Sequence, residues 1–204
     1  GYDGVTFTGS NLLSTEANTT ETTTYVVDNG NPVITSYSAS QTGNAPDKAK
    51  AGAVVFTATF DETLSIVPKI AINQPGSTDI LATNMTLVSG NTYNYTYTVQ
   101  SANGGTYVDG SATVTISAAA DLAGNVMTSV NHTIVIDTTK PTVQSFQISQ
   151  GINTAGTVKA GASTITVVMS EAVTTIPKIT INQPGSTDIA STNMTSAGGN
   201  TYTY

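Results

Sequence analysis

From Val33 to Ile136, apolar and polar residues alternate in short stretches that are broken by Gly, Pro, Asn and Asp. A period of two marks a strand with one buried face, because successive side chains point to opposite sides of a pleated backbone. The clearest case is TYNYTYTV at 92–99, where Tyr93, Tyr95 and Tyr97 share one face and Asn94, Thr96 and Thr98 share the other. The pattern predicts strands A at 33–40, B at 53–60, C at 67–73, D at 85–89, E at 92–99, F at 111–118 and G at 126–136. A chain rich in Thr, Ser, Asn and Gly also favours strands and turns over helices. Seven short strands in about 109 residues suit an all-β Greek-key β-sandwich.

The pattern repeats. PKIAINQPGSTDI starts at Pro68 and PKITINQPGSTDI starts at Pro177, 109 positions later. At the same offset, and with no gap, DNGNP at Asp28 falls on DTTKP at Asp137, and KAGA at Lys50 on KAGA at Lys159. Glu62 falls on Glu171, and TNMT and GNTY recur from Thr83 and Gly90 at Thr192 and Gly199. About half of the paired positions from Asp28 to Tyr95 are identical, which is the signature of a tandem array. Residues 1–28 then correspond to strands F and G of one repeat, 29–137 to a complete repeat, and 138–204 to strands A to E of a third. Two explanations of this layout compete. The sequence is an excerpt of a longer repetitive polypeptide, or the opening residues of one chain complete the open sandwich of the next by strand addition.

Composition narrows the function. Charged residues make up 9% of the chain, six Lys and no Arg against thirteen Asp plus Glu, with a formal charge of −7 and a pI near 4.3. Such a chain repels a phosphate backbone, so no nucleic-acid partner is expected. The absence of Cys removes disulfides, zinc–thiolate sites and thiol nucleophiles together. No run approaches the ~18 apolar residues of a membrane helix, so no membrane span is expected in this segment. An acidic, Thr-rich, Arg-free β chain is expected outside the cell, at its surface.

Several pieces in order resemble the bacterial immunoglobulin-like (Big-type) tandem repeats of cell-surface adhesins and related archaeal surface-layer proteins. They are DTTKPTV from Asp137, the acidic ends of strand B (FDE at Phe60, MSE at Met169), DLAGN at 121–125 and the closing VID before Thr138. The resemblance covers the whole chain, with two departures: DNGNP at the first junction, and NLLSTE at 11–16 in place of DLAGN. It implies immunoglobulin-like sandwiches in a stalk, coat or filament whose partners are neighbouring copies of the same protein, with a cell-surface or glycan ligand as a further candidate.

In an immunoglobulin-like topology the entry to the domain and its BC and FG loops lie at one pole. That gathers Asp28, Asp61, Glu62, Asp121 and Asn125, and Asp137 and Glu171 repeat the arrangement at the next junction. Converging carboxylates suit a hard cation, and calcium takes six to eight oxygens in flexible geometry. The resemblance implies the same ion, because such arrays hold calcium at their linkers. The competing reading is that Asp121 and Asn125 make only an Asx turn and Asp137 only opens an extended segment.

Asn18, Asn84, Asn94, Asn131 and Asn193 each begin an N-x-Thr triplet and are glycosylation candidates, although such triplets also arise by chance in a Thr-rich chain. His132 is the lone histidine and sits on predicted strand G, where a structural role is expected rather than a general base. ANGGT at Ala102 lacks the following helix and Lys of a phosphate cradle. Lys50, Lys69, Lys159 and Lys178 could serve a Lys–Asn cross-link, but predicted strand E carries no acid to assist it. The expected function is therefore a non-enzymatic structural repeat. The alternative is a carbohydrate-binding module that uses Tyr93, Tyr95 and Tyr97 as a stacking row.

Overall fold

A computed structural model describes residues 2–3, 27–41, 48–76, 78–150, 158–185 and 187–204, and every regular element in them is a strand. The chain divides into two units, Gly1–Thr138 and Thr139–Tyr204.

The first unit contains β1 (Tyr2–Asp3), β2 (Val27–Asp28), β3 (Ile34–Ala39), β4 (Lys48–Ala49), β5 (Gly52–Phe60), β6 (Leu64–Ile66) and β7 (Lys69–Asn73). It continues with β8 (Ile80–Asn84), β9 (Thr86–Ser89), β10 (Thr92–Val99), β11 (Gly110–Ser117), β12 (Ala120–Asp121) and β13 (Val130–Ile136). One sheet has the order β3-β5-β10-β9 and the other β4-β13-β11-β7-β8; β1-β2 and β12-β6 form small pairs. The long pairings are antiparallel, while β4 joins β13 in parallel through Val135↔Lys48 and Ile136↔Ala49. The chain thus crosses from the first sheet to the second between β3 and β4.

Alternation decides which side chains fill the space between the sheets. Val54, Phe56, Ala58 and Phe60 of β5 are buried, as are Ile70 and Ile72 of β7 and Ala112, Val114 and Ile116 of β11. Both sheets contribute to one core cluster, consistent with a β-sandwich. Burial of this kind contributes about 1.5–3 kcal/mol for each large apolar side chain. Strand C begins at Lys69 rather than 67, since Pro68 has no N–H to give to a ladder. Its carbonyl instead accepts the Met85 N–H at 2.8 Å.

The second unit contains β14 (Val143–Ile148), β15 (Ile165–Met169), β16 (Lys178–Ile181), β17 (Ile189–Asn193), β18 (Thr195–Gly198) and β19 (Thr201–Thr203). Its sheets have the orders β14-β15-β19-β18 and β16-β17. Ile165, Val167, Met194 and Tyr202 form its buried cluster, with Ile179 and Ile181 partly buried against it.

Many residues shared by the two units bind backbone. Ser40 Oγ accepts the Val55 N–H at 2.8 Å and Ser149 Oγ the Thr164 N–H at 2.8 Å. Gln41 Nε2 donates to the Ala53 carbonyl at 3.0 Å, and Gln150 Nε2 to that of Ala162 at 2.7 Å. The repeated QPGSTD loop is closed by its own ends. The Gln74 N–H donates to Asp79 Oδ1 and Gln74 Nε2 to the Thr78 carbonyl, and Gln183 makes the same bonds to Asp188 and Thr187. Gly76 and Gly185 have φ of 111° and 118°, a conformation that a Cβ would strain. The repeated stretch is the set of groups that one loop geometry requires.

Candidate metal centre

Three segments deliver three carboxylates to one place. Asp28 ends β2, Glu62 follows β5, and Asp121 ends β12; one ligand oxygen from each lies within 4.8 Å of the others. Asp121 is fully buried and Glu62 and Asp28 are half-buried.

The DLAGN turn builds this arrangement. The Asn125 N–H donates to Asp121 Oδ1 at 2.8 Å, and Asn125 Nδ2 donates to Asp121 Oδ2 at 2.8 Å. The same amide nitrogen donates to the Asp28 carbonyl at 2.9 Å, so one NH2 group ties the turn to β2 across 97 positions. Asp28 Oδ1 accepts the Gly30 N–H at 3.0 Å. The Ser65 hydroxyl donates to the Asp121 carbonyl from β6.

The two central acids respond in opposite directions. Burial would raise the Asp121 carboxyl, but hydrogen bonds from the Asn125 side chain and from the backbone of Asn125, Gly124 and Ala123 outweigh it and hold the group below its ordinary value. Glu62 is pushed above its ordinary value by burial first, then by the charges of Asp121, Asp28 and Asp61. Among the described residues the ion pair present is Lys48 Nζ–Asp137 Oδ2 at 3.5 Å, and no lysine neutralises the three acids. The donor set is all oxygen, and ligands on opposite sides of a calcium ion stand about 5 Å apart. These residues fit a hard cation.

The other predicted ligands are not among these three carboxylates. Asp61 is exposed, and its Oδ1 accepts the Val33 N–H at 2.8 Å while its N–H donates to the Val33 carbonyl at 3.1 Å. In the second unit Ser170 does the same with Thr142, at 2.9 and 2.8 Å, so a hydroxyl replaces the carboxylate in this work. Asn125 offers its NH2 group inward, as a clamp. Asp137 belongs to the first unit and pairs with Lys48, while Glu171 is a half-buried residue of the second. Asp109 was not singled out by sequence: its Oδ1 accepts both the N–H and the hydroxyl of Thr138, at 2.9 and 2.7 Å, and anchors the DTT segment. The signal available was a carboxylate in VDG just before strand F.

Tyr93 and Tyr97 are 4% and 6% exposed and Tyr95 is half-buried, so the row packs into the core and does not form a flat exposed platform. Tyr97 donates its hydroxyl to Gln74 Oε1. His132 stacks on Tyr37 with ring centroids 3.6 Å apart and planes 3° from parallel, beside a cavity of about 490 Å3 lined in part by Ile34, Met127 and Val130. Its Nε2 is buried without a hydrogen-bond partner, and burial lowers its pKa. Lys50, Lys69, Lys159 and Lys178 are exposed, away from any cross-link through the interior.

Asn84 and Asn193 are exposed at the ends of β8 and β17. Asn131 is exposed on β13 and accepts the Thr115 hydroxyl, and Asn94 is half-buried within β10. Asn18 lies outside the described residues. No protein family, curated protein or solved structure matches the chain.

Proposed function

We propose that the chain is a non-enzymatic structural repeat segment of an extracellular cell-surface protein, an adhesin stalk, surface layer or filament subunit. Its immunoglobulin-like repeats recur every 109 residues and are stiffened by calcium held at Asp28, Glu62 and Asp121. The observation that carries this reading is the recurrence of one set of side-chain-to-backbone bonds in both units, at Ser40 and Ser149, Gln41 and Gln150, and Gln74 and Gln183. A repeat whose identities maintain loops and strand ends is under pressure to keep a shape. The strand orders β3-β5-β10-β9 and β14-β15-β19-β18 support the same reading.

Calcium is supported by chemistry. A fully buried carboxylate beside two others, with no paired lysine, repels its neighbours until a cation relieves it. Asp28 closes one repeat in the sequence register, while Glu62 and Asp121 belong to the next, so an ion bound by all three ties consecutive repeats. The acidic, Cys-free composition supports an extracellular setting.

Calorimetric titration of the chain with calcium tests the reading. The expected result is saturable binding with a dissociation constant at or below about 1 mM, the weak end for extracellular calcium modules, lost in Asp28→Asn. Absence of binding up to ~10 mM, well beyond that range, removes the calcium part. A hydrolase activity abolished by Glu62→Gln with the fold intact overturns the non-enzymatic part.

A further inference from the structure

In the first unit β9 pairs with β10 only over 92–94, so among the described residues β10 is the edge of its sheet from Tyr95 onward, while β8 is an edge of the other sheet. Residues 95–98 of β10 and Ile80 of β8 line a cavity of about 280 Å3 there. Two loops complete it. The QPGSTD loop brings Gln74 and Thr78, and the loop after β10 brings Gln100 and Tyr107. The ANGGT stretch at 102–106 places Tyr107: Asn103 Oδ1 accepts the N–H groups of Gly105 and Tyr107 at 3.0 Å each, the Asn103 N–H donates to the Tyr107 carbonyl at 3.0 Å, and Tyr107 bridges to Gly76.

The lining carries no charged side chain. Gln74 and Tyr97 are 7% and 6% exposed, and they are held in place because Tyr97 donates to Gln74 Oε1 while Gln74 Nε2 donates to the Thr78 carbonyl. Tyr95 and Tyr107 are half-buried, and Gln100 is exposed at the mouth. After burial itself, Tyr107 and then Tyr95 raise the pKa of Tyr97, so the three phenols stand close together. Phenol hydroxyls and primary amides both donate and accept hydrogen bonds, which suits a ligand whose own groups do both. Aromatic rings add apolar surface for C–H groups. An ionised ligand would lose its water here without gaining a counter-charge. The volume is just below the ~300 Å3 at which sites for drug-sized ligands begin, so the ligand is a single small ring.

We propose that this cleft binds one neutral pyranose sugar ring, whose hydroxyl groups bond to the phenols of Tyr95, Tyr97 and Tyr107 and to the amides of Gln74 and Gln100. It is a cleft between two sheet edges and not a stacking row, since Tyr93 stays in the core, edge-on to Phe60. The proposal rests neither on calcium nor on the repeat.

The test titrates the 204-residue chain with glucose, galactose, mannose and N-acetylglucosamine, and with glucuronate as the charged control, read by NMR. At least one neutral sugar should bind saturably with a dissociation constant of about 1–10 mM, the strength that ordinary ligand efficiency gives a dozen or so heavy atoms. Its shifts should fall on Tyr95, Gln100 and Tyr107, and glucuronate should bind at least about tenfold more weakly. Gln100→Ala and Tyr107→Phe should each weaken binding about three- to tenfold with an unchanged Tm, because each removes one ligand hydrogen bond and leaves the main-chain bonds of the loop. A methyl glycoside that binds like the free sugar assigns the cleft to the end residue of a glycan, and one that is excluded assigns it to a free sugar; both support the proposal. No saturation by any of the four sugars at concentrations tenfold above that range, shifts confined to other residues, or wild-type binding by both variants overturns it. If the sugars fail while calcium still binds, only this proposal falls.

Discussion

The main-chain N–H of Gln74 donates to Asp79 Oδ1 at 3.1 Å, and in the second unit that of Gln183 donates to Asp188 Oδ1 at 3.0 Å. A side chain five residues ahead thus closes each QPGSTD loop on itself. In the first unit the closure also holds a buried Gln74 against the hydroxyl of Tyr97. Asp79→Ala should therefore cost about 1 kcal/mol in urea denaturation, the usual worth of one such bond. Asp188→Ala should cost less, because Gln183 is exposed. An unchanged midpoint for Asp79→Ala would show that the loop is held some other way.

The two loop glycines separate backbone strain from crowding. Both have positive φ, but a Cβ on Gly76 would overlap the Thr106 carbonyl, whereas one on Gly185 meets open space. Gly185→Ala should lose about 1–2 kcal/mol from strain alone. Gly76→Ala should lose more, since the backbone at Thr106 must also move. Equal losses in thermal melts would contradict the close approach of the 106–107 segment to this turn.

His132 is the single histidine, so its proton NMR titration reads one site. Burial against Tyr37 holds its pKa below the ordinary 6.5 in the folded chain. A depressed folded pKa gives stability that is present above pH ~6.5 and lost as pH falls through the folded value, because the unfolded chain takes up the proton first. His132→Phe should flatten the dependence of stability on pH in that window. A titration midpoint at or above 6.5 would contradict the buried stack.

Strand positions were legible where one face is buried and the other wet. β5 and β10 follow their alternation from Gly52 and Thr92, and β7 and β11 begin within two residues of expectation. β8 was missed because its residues are mostly exposed and show no alternation, and β4, β6 and β12 are too short to carry a period. Strand G begins at Val130 because Val126 makes only a single bridge to Ala120. At the site, three acids could be grouped from loop positions in an assumed topology. The use of Asn125 as a clamp and of Asp61 as an acceptor for Val33 could not, because both depend on which atom of a polar side chain faces inward.

Glu62 lies among three other carboxylates, Asp28, Asp61 and Asp121, that act on its charge. Burial and the neighbouring Asp121, Asp28 and Asp61 raise its folded pKa above the unfolded value, so its contribution to stability is full below the unfolded pKa and is lost as pH rises through the folded one. At neutral pH without a cation, ionised Glu62 opposes the fold; with calcium bound it supports the fold, since an ion that binds only the folded chain stabilises it. The decisive measurement is the Tm of wild type and Glu62→Gln at pH 7, in chelator and in millimolar calcium. The account predicts that the variant melts above wild type in chelator and below it in calcium. A wild-type Tm that calcium leaves unchanged, or a variant shift of the same sign in both conditions, would contradict it.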